Sequence, residues 1–287
     1  MIDPISNIVN ELPGSPLGAG GILYVIKIGG NIIDDENKLT GFLKQFAELQ
    51  APLQGPGVKK ILVHGGGKLA TKLAEQLGIQ QDLRDGRRIT DAETLKIVTM
   101  VYAGYINKNI VAQLQSYRCN AIGLSGADAN AIQAHKRNHP EIDYGFVGDI
   151  DAINTELFKN LLEQDITIVV APITHNKEGQ LLNTNADTIA QEIAKALSKA
   201  FEVTLVYSFE KAGVLSDAND DNTVISKIGP ISYKELKEKQ AIFAGMIPKL
   251  DNAFEALNNG VSKVVIGKAE NLEQLIAGKS GTTISKT

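Results

Sequence analysis

The chain has 287 residues, 43% hydrophobic and 22% charged, which is enough for a sizeable core in one large α/β domain or in two lobes sharing a sheet. A formal net charge of -4 with scattered lysines offers no basic field for nucleic acid, and a single cysteine, Cys119, excludes intramolecular disulfides and thiolate-rich metal sites. No run approaches the roughly eighteen apolar residues of a membrane span and the opening Met1-Ile2-Asp3-Pro4 carries no cationic segment, so the expectation is a soluble cytoplasmic protein.

Ile2, Ile5, Ile8, Val9 and Leu12 fall at helical spacing and predict a short helix before the breakers of 13–21. A strand follows over 22–30, ending Val25-Ile26-Lys27-Ile28-Gly29-Gly30, then a helix near 36–50 and a Pro/Gly connector over 51–57. The next strand repeats this pattern. Its apolar run reaches Val63-His64, ends in Gly65-Gly66-Gly67 and opens a helix over 68–77 whose inner face carries Leu69, Ala70, Leu73, Ala74 and Leu77. Thr90 caps a long helix over 91–115, in which Tyr102 and Tyr105 read as core or subunit contacts; Cys119 reads as a small apolar residue in the turn beyond.

A strand over 120–124 and a small-residue turn over 125–130 come next, and 133–144 is polar enough to predict an exposed hairpin or loop. His135 and His139 have the i, i+4 spacing of helical metal ligands, but Lys136, Arg137 and Pro140 around them favour a solvated loop. Further strands are predicted over 146–153, 166–171, 203–207 and 261–266, with helices over 156–162, from 183–187 onward, and near 232–238, 248–258 and 272–277; 210–222 is loop-like. Strands alternating with helices throughout predict a mainly parallel sheet covered on both faces.

Two strands ending in glycine turns place a candidate site at the carboxyl edge of that sheet. Lys27 either points to solvent there or is delivered to the site as a cation. The amides after His64 open a helix and suit an anionic group. Neither G-x-x-x-x-G-K-[ST] nor G-x-G-x-x-G occurs, which removes support for a P-loop enzyme or a standard dinucleotide binder. Lys249 follows Pro248 in a first helical turn, where a cation opposes the dipole unless an anion is near; the plainer reading is an exposed lysine. Asp187 in another first turn is explained by helix capping, and also has the charge to hold two lysines apart.

These stretches, in this order, resemble the amino-acid kinase family, and within it the branch acting on N-acylated glutamate. The motifs are Lys27-Ile28-Gly29-Gly30, His64-Gly65-Gly66-Gly67, Gly86-Arg87-Arg88-Ile89-Thr90, Asn183-Thr184-Asn185-Ala186-Asp187 and Gly245-Met246-Ile247-Pro248-Lys249, spread over 22–284. The resemblance implies a three-layer αβα sandwich on one continuous sheet, with an extension over 1–21, an acylglutamate-binding and dimerising lobe over 22–180 and an ATP lobe over 181–287. It implies transfer of the ATP γ-phosphoryl group to the side-chain carboxylate of an N-acyl-L-glutamate in arginine biosynthesis, N-acetylglutamate ahead of N-succinylglutamate, with Mg2+ arriving on the nucleotide and no metal site of the protein's own. A non-catalytic amino-acid sensor of the same fold is the rival.

By the same resemblance Lys27, Lys249 and Asp187 are catalytic. Gly66, Gly67, Arg88 and Asn183 bind the acylated amino acid, and Gly29, Gly30, Phe209, Glu210 and Gly213 bind the nucleotide. The chain departs from the family at Phe209-Glu210-Lys211, where Thr/Ser-Asp-Val is usual, and at Ala244, where a second glycine is common. A homodimer is implied. A hexamer would need the 2–12 segment, which resembles half of the N-terminal helix of arginine-inhibited members.

Overall fold

The computed structural model describes residues 21–49, 57–84, 87–217, 220, 222–239, 242 and 246–286. The helix expected over 2–12, most of the 51–57 connector, Gly86, Ala244 and Gly245 lie outside the described residues.

Strand β1 (Ile22–Ile28) shows why the fold has three layers. Its alternation sends Leu23 and Val25 into one apolar cluster and Tyr24, Ile26 and Ile28 into another, on opposite faces of the sheet. Two short helical pieces follow, α1 (Gly30–Ile33) and α2 (Glu36–Glu48), the latter capped by the Asp35 carboxylate. β2 (Val58–His64) leads into α3 (Gly67–Gln76), and β3 (Leu83–Arg84) with β4 (Arg87–Arg88) makes a small antiparallel hairpin. The long helix is a composite of α4 (Ala92–Thr99), a π-helical segment Met100–Ile106 and α5 (Asn107–Ser116).

The chain continues through β5 (Ala121–Leu124), β6 (Ile132–Lys136), β7 (Gly148–Ile153), α6 (Thr155–Glu163), β8 (Thr167–Val170), β9 (Ile173–His175) and β10 (Leu181–Asn183). It ends with α7 (Ala186–Leu197), β11 (Glu202–Phe209), β12 (Lys227–Ile228), α8 (Pro230–Glu238), α9 (Ile247–Asn258), β13 (Lys263–Lys268), α10 (Leu272–Ile276) and β14 (Thr282–Ile284).

The main sheet has the order β12-β14-β13-β11-β1-β2-β8-β5 and is parallel except where β13 meets β14. Apolar positions of α6, α7 and α9 pack on one face; those of α2, α3, α4, α5 and α10 pack on the other. This is the αβα sandwich. The chain moves from β1 toward β2 on one side and later returns to lay β11 on the other, so the order reverses beside β1 and a crevice opens at its carboxyl end.

One feature differs from the expectation of a single continuous sheet. β6, β7, β9 and β10 form a separate four-stranded sheet in the order β10-β9-β6-β7. The polar stretch expected as an exposed hairpin or loop therefore begins with a strand, and Ile132, Ala134 and Tyr144 are buried there. Polarity misled because only alternate residues of β6 face inward. His135 lies on that strand, so the i, i+4 relation with His139 is not helical: His135 Nδ1 meets Asp151 Oδ1 at 2.6 Å, while His139 Nδ1 accepts from the Glu141 and Ile142 amides. A residue-180 division falls inside the β9–β10 hairpin, where Leu181 pairs with His175.

Phe158 is fully buried between α6 and the sheet. Phe158→Ala is expected to cost about 3–5 kcal/mol of unfolding free energy, measured by urea titration, because the cavity cannot close within a sheet-backed layer.

Candidate active site

The centre of the site is built by the ends of β1 and α7. Lys27 is the next-to-last residue of β1, held in register with Val63 of β2 and Tyr207 of β11. Its Nζ lies 2.8 Å from Asp187 Oδ1, with only 17% of the lysine side chain exposed. Asn185 fixes the carboxylate's position: its side chain accepts from the Asp187 and Thr188 amides and caps α7. Asp187 then sits in the first turn, where the helix dipole favours a negative charge. The Tyr207 hydroxyl donates to the Asp187 carbonyl at 3.4 Å, and burial pushes that phenol well above its ordinary range, so it stays protonated.

Lys249 comes from α9, in the turn opened by Ile247 and Pro248, and lines one cavity with Asp187, whose charge it feels. Burial pulls its pKa down from 10.5, Asp187 pulls it up, and Lys27 pushes it down again. Lys27 is thus paired with Asp187, and Lys249 stands within the electrostatic range of both. Lys27, Asp187, Tyr207, Ser208, Lys249 and Asn252 line a small enclosed cavity of about 30 Å³.

A larger cleft of about 290 Å³ adjoins it, and Lys27 and Asp187 belong to the walls of both. Its floor is the glycine turn after β2. The Gly65 amide donates to the Ile28 carbonyl at 3.0 Å, which ties the turn after β2 to the end of β1. Gly66 has φ 152° and lies against the long helix, where an added Cβ would collide with Ile106 and the Tyr102 ring. His64 anchors this turn from beneath. Its Nδ1 donates to the Gly65 carbonyl at 2.7 Å and its Nε2 accepts from Asn107 Nδ2 at 3.3 Å, while Asn107 also donates to the Val169 carbonyl. Complete burial lowers the His64 pKa from 6.5 to about 4, so the ring is neutral and takes a fixed place in the network.

Arg88 forms one wall. Its Nη2 donates to the Gly67 carbonyl at 3.0 Å and to Thr71 Oγ1 at 2.7 Å, and its Nη1 to Gln81 Oε1. Opposite stands Asn183, at the end of β10, whose Nδ2 donates to Thr90 Oγ1 at 3.0 Å. Thr90 is not the cap expected for the long helix, which is Asp91, whose carboxylate accepts from the Thr94 amide; Thr90 is instead fully buried and orients the Asn183 amide. Leu83, Val147 and Pro172 give the cleft an apolar side.

The sequence-derived residues Lys27, Asp187, Lys249, Gly30, Gly66, Gly67, Arg88 and Asn183 therefore converge on two joined cavities. Gly29 caps α1 and its Cα stands close to the Lys27 ammonium without lining either cavity. Glu210 is exposed, and Gly213 packs where a Cβ would crowd Thr282 and Val224, so tight packing by itself requires glycine there. The Phe209 side chain lies outside the described residues.

Sequence reasoning passed over Tyr102 and Arg137 as cleft residues. Arg137 follows β6, donates through Nε and Nη2 to the Asp149 carboxylate and stacks on Tyr144 at 5.7 Å. Its signal was present as an arginine inside a segment too polar to pack, but nothing local revealed that the segment folds back onto the cleft. Among the described residues no group of three His, Cys, Asp or Glu side chains could hold a metal ion.

The buried neutral His64 gives a pH prediction. Its folded pKa lies below the unfolded value, so the stability it carries is complete above about pH 6.5 and is lost as pH falls toward about 4. Urea unfolding across that window should show wild-type stability falling relative to His64→Gln by up to about 1.4 kcal/mol per pH unit. Parallel pH dependences would contradict the assignment.

A profile described as the amino acid kinase family matches residues 23–268. The chain is 59% identical over 255 residues to a Cytophaga hutchinsonii protein named acetylglutamate kinase, covering 88% of this chain and 94% of that one. A Parabacteroides distasonis protein of the same name is 53% identical over 252 residues, covering 88% and 96%. In structure, smu.665 from Streptococcus mutans UA159 superposes with a TM-score of 0.70 at 26% identity, covering 93% of this chain and 99% of that one. The profile, the relatives and the paired lysines around a capped aspartate agree, and the chain belongs to the amino acid kinase family.

Proposed function

We propose that this protein phosphorylates the side-chain carboxylate of N-acetylglutamate with ATP, giving an acyl phosphate and ADP. The observation that carries this reading is that Lys27 and Asp187 belong to both cavities while Lys249 faces them from one. A group passing between the cavities would travel alongside those cations. The larger cleft suits the acylated amino acid: Arg88 presents a guanidinium for the α-carboxylate, Asn183 an amide, and the turn at Gly66 and Gly67 backbone donors for the reacting carboxylate. The nucleotide phosphates would enter over Gly29 and Gly30 toward the smaller cavity.

A carboxylate is already a nucleophile at neutral pH, so no general base is required and the chain acts by positioning and charge. Lys27 would neutralise charge on the transferring group, Lys249 charge on the oxygen toward the leaving ADP, and Asp187 would hold the two ammonium groups in place. The neutral Tyr207 hydroxyl, bonded to the Asp187 carbonyl, steadies this arrangement. Mg2+ would come on the nucleotide, held mostly by phosphate and water, which agrees with a donor set in which Asp187 is already engaged by Lys27.

Arg137 supports a second substrate reading. A second guanidinium in the cleft wall suits an acyl group that ends in a carboxylate, as in N-succinylglutamate. Exposed Met100 and Tyr105 on the long helix offer apolar surface to a second copy of the chain. This chemistry would serve arginine biosynthesis in the cytoplasm, a role consistent with the name of the relatives.

ADP release should depend on an N-acylglutamate and be absent with free glutamate; rates with the N-acetyl and N-succinyl compounds decide between the acyl groups. Lys27→Ala and Lys249→Ala should each lower kcat about 10²–10³-fold, as removal of a transition-state charge partner does. Turnover at the wild-type rate in either variant would sink the proposed roles.

A further inference from the structure

The long helix departs from α winding beside the cleft. Val98, Tyr102, Ile106, Ile110 and Leu114 are all buried in one cluster, spaced uniformly by four residues. In an unbroken α-helix each step of four overshoots a turn by about 40°, so such a row would drift across the helix surface and could not stay on one buried face. The π-helical segment Met100–Ile106 takes up that drift with wider turns.

Tyr102 lies in this segment, 5% exposed, and lines the larger cleft. Its ring lies so close to Gly66 that a Cβ there would stand 3.0 Å from the ring edge. A Cβ at Gly67 would be 4.0 Å from the Tyr102 hydroxyl and 3.8 Å from Arg88 Nη2, so hydroxyl and guanidinium flank the same backbone position. Burial raises the phenol pKa, and the nearby Arg88 guanidinium draws it back down.

We propose that Tyr102, carried into the cleft floor by the π-helical segment, is a positioning residue that sets Arg88 against the Gly66–Gly67 turn for the α-carboxylate of the acylated amino acid. Its ring fixes the height of the glycine turn, and its hydroxyl stands beside the near end of the guanidinium. This inference rests on the acylglutamate reading of the cleft.

Tyr102→Phe keeps the ring and removes the oxygen, so its melting temperature should match wild type. Calorimetry should show N-acetylglutamate binding about tenfold more weakly, with a matching rise in KM and little change in kcat or in KM for MgATP. N-acetyl-4-aminobutyrate, which lacks the α-carboxylate, should bind wild type and variant alike. Wild-type affinity in the variant, or equal losses for the two compounds, overturns the proposal. A wild-type protein that binds N-acetylglutamate without releasing ADP overturns the kinase reading instead, and the calorimetric comparison still decides the role of Tyr102.

Discussion

The contact between Lys27 and Asp187 is the constraint on which the rest of the site depends. A lysine at the end of a buried parallel strand is costly unless its charge finds a partner, and Asp187 supplies one at 2.8 Å. That carboxylate is in turn held by the Asn185 cap and the dipole of α7. The pair joins β1, at the centre of the sheet, to a helix that lies on one face of it. Lys249 adds a second cation within the field of that carboxylate, an arrangement that would suit the transferring phosphoryl group of the proposed reaction.

The glycine turn obeys a similar logic with backbone in place of charge. Gly66 is forced by the approach of the long helix, and His64 beneath it is neutral because burial makes the charged ring unfavourable. Bonds from His64 to the Gly65 carbonyl and from Asn107 to His64 leave the turn little freedom. On the proposed reading the backbone donors of this turn would be in place before a substrate arrives, leaving little ordering to be done on binding.

Much of this was legible in the sequence. Apolar runs ending in glycines located β1 and β2, and the helix signals at Thr90, Asn185 and Pro248 placed Arg88, Asp187 and Lys249 near element ends, where sheet topology gathers them. The segment after Asn130 was harder to read because its burial depends on a second sheet whose strands come from 132–136, 148–153, 173–175 and 181–183, so no local pattern declares it. Arg137 was missed for that reason. The π-helical segment had a local signature, the unbroken spacing of four from Val98 to Leu114, which differs from the alternating threes and fours of an α-helical face. The nucleotide-binding role of Gly213 implied by resemblance meets a packing explanation in the structure, since its neighbours leave no room for a side chain.

Asp187 acts on two lysines, Lys27 by contact and Lys249 by its field, and the titration of Lys249 tests that most directly. Nitrogen-15 NMR of its side chain should give a pKa below the ordinary 10.5 in the wild type, and Asp187→Asn should lower it further by removing a carboxylate that raises it. A Lys249 that titrates identically in the two proteins would contradict the coupling of Asp187 to both lysines, and with it the proposed path of the phosphoryl group.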